Sequence, residues 1–168
     1  MSEAEETTSR IHLLVGLPGS GKTTFATNLA ERERAIRLTP DDWHFHLFGN
    51  DVTDPDHDCR HSVVEEIMWD LAQELIMHRV DVVLDYGFWS IKEREQVARR
   101  VIDMGASPLW YYMKVSADVL RTRVITRNQD PSYPMKIPMD MMEQWVRLFQ
   151  PPTMNEALLG PLEILEVS

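Results

Sequence analysis

Residues 16–24 read GLPGSGKTT and follow directly on the apolar run IHLLV at 11–15. Gly16 to Thr23 fits the pattern G-x-x-x-x-G-K-S/T, and it stands between a stretch that reads as a buried strand and one, 22–33, that reads as a helix. Glycines in such a loop let successive backbone N–H groups turn inward at a helix N-terminus, where the partial positive charge favours an anion. A loop so poor in side chains, with one lysine near its end, is expected to cradle the phosphates of a nucleoside triphosphate. ATP and Mg²⁺ are the implied cofactors, with contacts from Leu17, Pro18, Gly19, Ser20, Gly21, Lys22, Thr23 and Thr24. Lys22 would lie along the β and γ phosphates, and the Thr23 hydroxyl would coordinate the metal.

Outward from this loop, apolar clusters and helical patterns alternate. Strands are expected at 11–15, 35–39, 81–85 and 108–115, and LEILEV near the end could add an edge strand. Between them fall a long amphipathic helix at about 59–79, a helix at 90–104 stopped by Gly105, one capped by Ser116 that runs to about Asn128, and a last one at 139–149. The long helix is expected to bury Val63, Val64, Ile67, Met68, Leu71, Leu75 and Ile76 on one face. NQDPSYPMKIP, with three prolines, reads as a mobile lid over about 128–138. Strands alternating with helices specify an α/β fold, a parallel sheet covered on both faces. Residues 1–9 read as a loose polar tail and 10–168 as one domain, with no linker or internal repeat.

The bulk properties narrow the function. Lys and Arg total 17 against 27 Asp and Glu, a formal net charge of −10. Such a balance repels a phosphate backbone unless a basic groove is concentrated locally, which argues against nucleic acid and leaves small molecules as substrates. No apolar run approaches the length of a membrane span, so no membrane partner is expected. With a single cysteine, Cys59, no intramolecular disulfide can form, and a cytoplasmic address follows. Either a monomer or a homodimer is compatible with this composition.

Ligands of parallel sheets gather at the carboxyl ends of the strands. TPDDW at 39–43 and DYGFW at 85–89 lie there, beside the glycine loop. Phosphoryl transfer to a hydroxyl needs a carboxylate that orients the acceptor and takes its proton, so Asp41 and Asp42 are the candidate bases, although either could instead start a short helix. Asp85 ends a buried strand, where a charge needs a cation or donors, and the Thr23 hydroxyl or a magnesium shell would supply them. Arg123 and Arg127 lie four apart on one helix face and could close over the phosphates. Trp43, Phe88 and Trp89 could wall an acceptor pocket or belong to the core.

Taken in order, GLPGSGKTTFA, LTPDDW, VVLDYGFWS, RVITRN and, after the lid, IPMDMMEQWVRLFQPP resemble the small P-loop kinases similar to zeta-toxin, chloramphenicol phosphotransferase and polynucleotide 5'-hydroxyl kinase domains. The resemblance spans about residues 10–152. It implies a five-stranded parallel sheet of order 2-3-1-4-5 with helices on both faces and a lid. It places the base on Asp41 with Asp42 beside it, the strand-three aspartate on Asp85 and the lid arginine on Arg127, with Lys136 as a substitute.

Two decoys remain. Residues 54–65 nearly imitate a calcium loop, but Cys59 stands where the sharp turn needs glycine and Pro55 occupies its second position. His44, His46, His57 and His61 show no zinc spacing and are expected on the surface. The expectation is therefore an ATP- and Mg²⁺-dependent phosphotransferase acting on a small-molecule hydroxyl, with Asp41, Lys22 and Arg127 as catalytic groups. A polynucleotide 5'-hydroxyl kinase and a non-catalytic ATP-binding switch are the alternatives.

Overall fold

β1 (Arg10–Val15) takes the centre of a sheet because it can be buried on both faces: Ile11, Leu13, Leu14 and Val15 are fully enclosed. In the computed structural model, which describes residues 8–133 and 135–167, it pairs in parallel with β3 (Val82–Gly87) on one side and β4 (Ser107–Lys114) on the other. β2 (Ile36–Leu38) extends the sheet beyond β3, and β5 (Leu162–Glu166) beyond β4. The order is β2-β3-β1-β4-β5, as expected, with every pairing parallel. The first seven residues of the expected tail, and Pro134 within the lid, lie outside the described residues.

Successive residues of each strand face opposite layers. Leu13, Leu84, Trp110 and Tyr112 point into a core shared with α3 (His57–Met77) and α4 (Ile91–Asp103). Leu14, Val83 and Tyr111 point the other way, onto Ala26, Leu29 and Ala30 of α1 (Lys22–Glu33). α5 (Ala117–Gln129) and α6 (Met139–Leu148) close a third cluster in which Leu120, Val124 and Met142 enclose Leu17. α2 (Pro40–Phe48) begins immediately after β2, with Pro40 in its first turn.

The buried stripe of α3 is narrower than its sequence suggests. Val64, Met68, Trp69, Ala72 and Ile76 are buried, whereas Val63 and Ile67 are 56% and 50% exposed. Positions 64, 68, 72 and 76 follow one row of the helix, and residues one position earlier sit about 100° round it, beyond the sheet's reach.

Sequence gave no hint of a buried ion pair that ties α4 to the chain after α6. Arg94, fully enclosed, donates through Nε and Nη2 to both oxygens of Glu156 at 2.8 and 2.9 Å, and through Nη1 to the Phe88 carbonyl at 2.9 Å. The Glu156 side chain is itself 4% exposed. Removing one partner leaves a buried, uncompensated charge. Arg94→Met is expected to destabilise the fold by about 3–5 kcal/mol in urea denaturation; a loss below about 1 kcal/mol would show that Glu156 finds other partners.

Candidate active site

The glycine loop links β1 to α1, and two close approaches fix its path. The Gly16 N–H donates to the Gly87 carbonyl at 3.0 Å, joining the loop to the end of β3. A Cβ on Gly87, whose φ is +137°, would stand 2.8 Å from Trp89 Nε1 and 3.3 Å from the Gly16 carbonyl oxygen. Trp89 Nε1 in turn donates to that carbonyl at 3.3 Å, and its ring packs on Trp145. No acidic residue occupies the first turn of α1, so the positive end of the helix is left to an external anion.

Lys22 folds back over the loop and donates from Nζ to the Leu17 carbonyl at 3.0 Å. Burial pulls its ammonium below the ordinary lysine range, and the negative charges of Asp85 and Asp41 oppose that pull. Asp85, whose side chain is 2% exposed, accepts from Arg37 Nη1 at 3.4 Å and has the Thr23 hydroxyl and the Lys22 ammonium beside it. Burial raises its pKa, and Lys22 and Thr23 only partly offset this. A buried carboxylate beside a hydroxyl is an all-oxygen donor set that suits Mg²⁺. On the loop and lid, Ser20 Oγ and Arg127 Nε are buried without partners, as expected of groups waiting for phosphate oxygens.

Asp41 and Asp42 both lie in the first turn of α2, with Thr39 as the N-cap. They part in direction. Asp42 is held by Arg37 Nη2 at 3.3 Å, whereas the Asp41 side chain is 60% exposed. His61 Nε2 lies 3.1 Å from Asp41 Oδ1 and His61 Nδ1 lies 3.3 Å from Glu65 Oε1. With a carboxylate at each ring nitrogen, the imidazolium is favoured. Burial opposes this, but the two hydrogen bonds prevail and carry the His61 pKa up to about 10. Desolvation pushes the Asp41 carboxyl up, but the hydrogen bond and charge of His61, joined by Lys22 and His44, together outweigh it, and Asp41 stays below the ordinary aspartate range.

The lid side is basic. Arg123 Nη1 donates to the Gly19 carbonyl at 3.2 Å, and the Arg127 guanidinium sits 4.5 Å over the Tyr133 ring. Asn128 clamps the lid by pairing with the Ile137 backbone, donating to its carbonyl at 2.6 Å and accepting from its N–H at 3.0 Å. Lys136 Nζ is taken up by the carbonyls of Arg127 and Asp130.

These groups share a cavity of about 1110 Å³. Pro18, Gly19, Gly21, Lys22, Thr23, Thr24, Arg123 and Arg127 line it, as do Asp41, Asp42, Asp85 and Trp89, whereas Leu17 and Ser20 are buried and not part of its wall. Trp43 does not: it stands outside the cavity wall and is 41% exposed. Phe88 touches the cavity but is 3% exposed, wedged between Tyr86 and Trp110 of the core.

His46 is exposed as expected, but His44, His57 and His61 depart from expectation. His44 is 4% exposed, and Asp51 Oδ1 lies 2.6 Å from His44 Nε2 and 2.7 Å from His57 Nδ1. Only the fold creates this cluster, by turning α2 back on α3, so no spacing rule reveals it. Arg37 was equally hidden, although a lone arginine in a short apolar strand that ends at two aspartates is a usable signal. The decoy calcium loop cannot form, since α3 begins at His57.

The AAA domain family model matches residues 11–152. Among solved structures, the chain is similar to a candidate kinase from Chloroflexus aurantiacus J-10-fl, with a TM-score of 0.76 and 17% identity over 95% of this chain and 89% of that one. It is similar to Kti12 from Chaetomium thermophilum in complex with ADP-AlF3, with a TM-score of 0.73 and 15% identity over 93% and 88%. A chain of the Pnkp1/Rnl/Hen1 RNA repair complex matches with a TM-score of 0.72 and 21% identity, over 93% of this chain and 51% of that one. No curated protein sequence matches. The fold is thus that of a P-loop NTPase. Among the described residues no helix is long and apolar enough to cross a membrane.

The His61 clamp has a testable sign. Its folded pKa lies above the unfolded value of about 6.5, so its stabilisation is fully present below about pH 6.5 and is lost as pH rises towards 10. In calorimetry His61→Gln should therefore lower the melting temperature more at pH 6 than at pH 10. An equal loss at both would mean that the ring is not held as an imidazolium.

Proposed function

This chain belongs to the AAA domain family, and on that premise we propose that it is an ATP- and Mg²⁺-dependent phosphotransferase that moves the γ-phosphate of ATP to a hydroxyl of a small molecule. One observation carries the reading: a single cavity holds the glycine loop, the Thr23–Asp85 pair, two lid arginines and an unencumbered face of Asp41.

The backbone of residues 19–23 holds the triphosphate, with Lys22 moving from the Leu17 carbonyl to the β and γ oxygens. The Thr23 hydroxyl and Asp85 would hold Mg²⁺, which when bound would supply neutralisation of phosphate charge. Arg123 and Arg127 offset the charge on the transferring group. Asp41 accepts a hydrogen bond from the acceptor hydroxyl. As that oxygen bonds to the γ-phosphorus and the bond to the bridging β–γ oxygen breaks, the proton passes to Asp41 and ADP departs. His61 keeps Asp41 ionised and aimed, while Asp42 is engaged by Arg37 and is the poorer base.

A small acceptor is favoured by the net charge of −10 and by the carboxylates Asp41, Asp58 and Glu65 on the α2 and α3 wall. A polynucleotide 5'-hydroxyl acceptor is the second reading, supported by likeness to a chain of an RNA repair complex. Labelled transfer from ATP to an oligonucleotide, set against a panel of alcohols, sugars and nucleosides, separates the two.

Asp41→Asn should lower acceptor-dependent ADP release about 10²- to 10⁴-fold with ATP affinity kept within a few-fold. Lys22→Ala should weaken ATP binding itself. Turnover near the wild-type level in Asp41→Asn, read by a coupled ADP assay, would remove Asp41 from the base role.

A further inference from the structure

Beside the acceptor wall lies a cluster that phosphoryl transfer does not use. The irregular link between α2 and α3 brings Asp51 between His44, in the middle of α2, and His57, the first residue of α3. His44, His57 and Asp51 each offer a ligand atom there, all within 4.8 Å of one another, and His44 Nε2 and His57 Nδ1 both approach Asp51 Oδ1. The two rings are close but not stacked, at 4.6 Å between centroids and 63° between planes, and a nitrogen of each faces Asp51 Oδ1. The surroundings are already organised. Arg60 Nη1 holds the second oxygen of Asp51 at 2.8 Å, which turns Oδ1 towards the rings and keeps it there. His44 is buried, the Asp51 side chain is 10% exposed and that of His57 22%, yet all three reach the wall of the large cavity.

We infer that His44, Asp51 and His57 form a second metal site, one that takes a borderline first-row divalent cation such as Zn²⁺ or Co²⁺ through two imidazoles and a carboxylate. Donor chemistry sets it apart from the Thr23–Asp85 pair. Oxygen donors select Mg²⁺, whereas an N₂O set favours zinc and its neighbours. The nitrogens stand 2.6 and 2.7 Å from Oδ1, and donors around a tetrahedral zinc stand about 3.3 Å apart. The three must therefore open by about 0.6 Å, a shift within the reach of small side-chain rotations. Three protein ligands leave a further position, and the cavity wall is where it would be reached. The cation would tie the α2–α3 corner together beside the acceptor. Nothing in this site depends on a nucleotide.

The test is calorimetric titration of the metal-stripped full chain with ZnCl₂, backed by the visible absorption of the Co²⁺ form. One equivalent of Zn²⁺ is expected, with a rise in melting temperature of roughly 5–10 °C at about a hundredfold excess over Kd. His57→Gln should weaken binding at least about tenfold and abolish the Co²⁺ spectrum. His46→Gln, a cavity histidine outside the trio, should retain both. Lys22→Ala should bind zinc like the wild type, so failure of the nucleotide reading would leave this result untouched. Should Asp51→Asn fold poorly, His57→Gln decides alone, since His57 is only partly buried at the first position of α3. Wild-type zinc binding that is absent, or equal to that of His57→Gln, would overturn the site.

Discussion

A carboxylate at the end of a buried strand, almost sealed from water, must be met by donors or cations, since an unpaired ion there costs several kcal/mol. Asp85 is that group, and its partners come from different parts of the chain. Thr23 reaches it from α1, Arg37 from β2, and Lys22 bears on it from the glycine loop. Satisfying one charge therefore registers the loop, the edge strand β2 and β3 against each other. The same Arg37 reaches Asp42, which frees Asp41 to face the cavity. The pair Asp41 and Asp42 is adjacent in sequence but divided in role because only one of them lies within reach of a guanidinium.

Charge is distributed unevenly over the cavity. Lys22, Arg123, Arg127 and Lys136 line the loop and lid, where phosphate would lie, while Asp41, Asp58 and Glu65 line the α2 and α3 wall. A bound polyphosphate would neutralise the first set, and an acceptor without phosphate of its own fits the second. The Asn128 clamp fixes the root of the lid, so Arg127 is presented from a rigid helix end, with its Nε still unpartnered.

How much of this the sequence disclosed follows from the range of the interactions. The signal of the glycine loop is local: the strand before it, the glycines and the helix after it are adjacent in sequence and fold as read, although contacts with Gly87 and Trp89 fix the loop's path. The sheet order matched what resemblance to known kinases implied. Asp41, Asp85, Arg123 and Arg127 reach one cavity with Lys22, while Trp43 turned away because α2 presents only part of its circumference. The α3 stripe was overdrawn, since periodicity marks an apolar face but not how much of it a sheet can cover. Arg94 with Glu156, Arg37 with Asp85 and the histidines around Asp51 were invisible, because each depends on parts of the chain that only tertiary folding brings together.

The central claim is that the loop at 16–24 grips a polyphosphate rather than a base or a sugar. Its most direct test is calorimetric titration, with magnesium, of ATP, ADP, AMP and adenosine. The expected result is tight binding of ATP and ADP and a collapse of affinity at AMP, because the backbone nest and Lys22 read the phosphates beyond the first. Comparable affinity for adenosine or AMP, or no heat with any of the four, would contradict it.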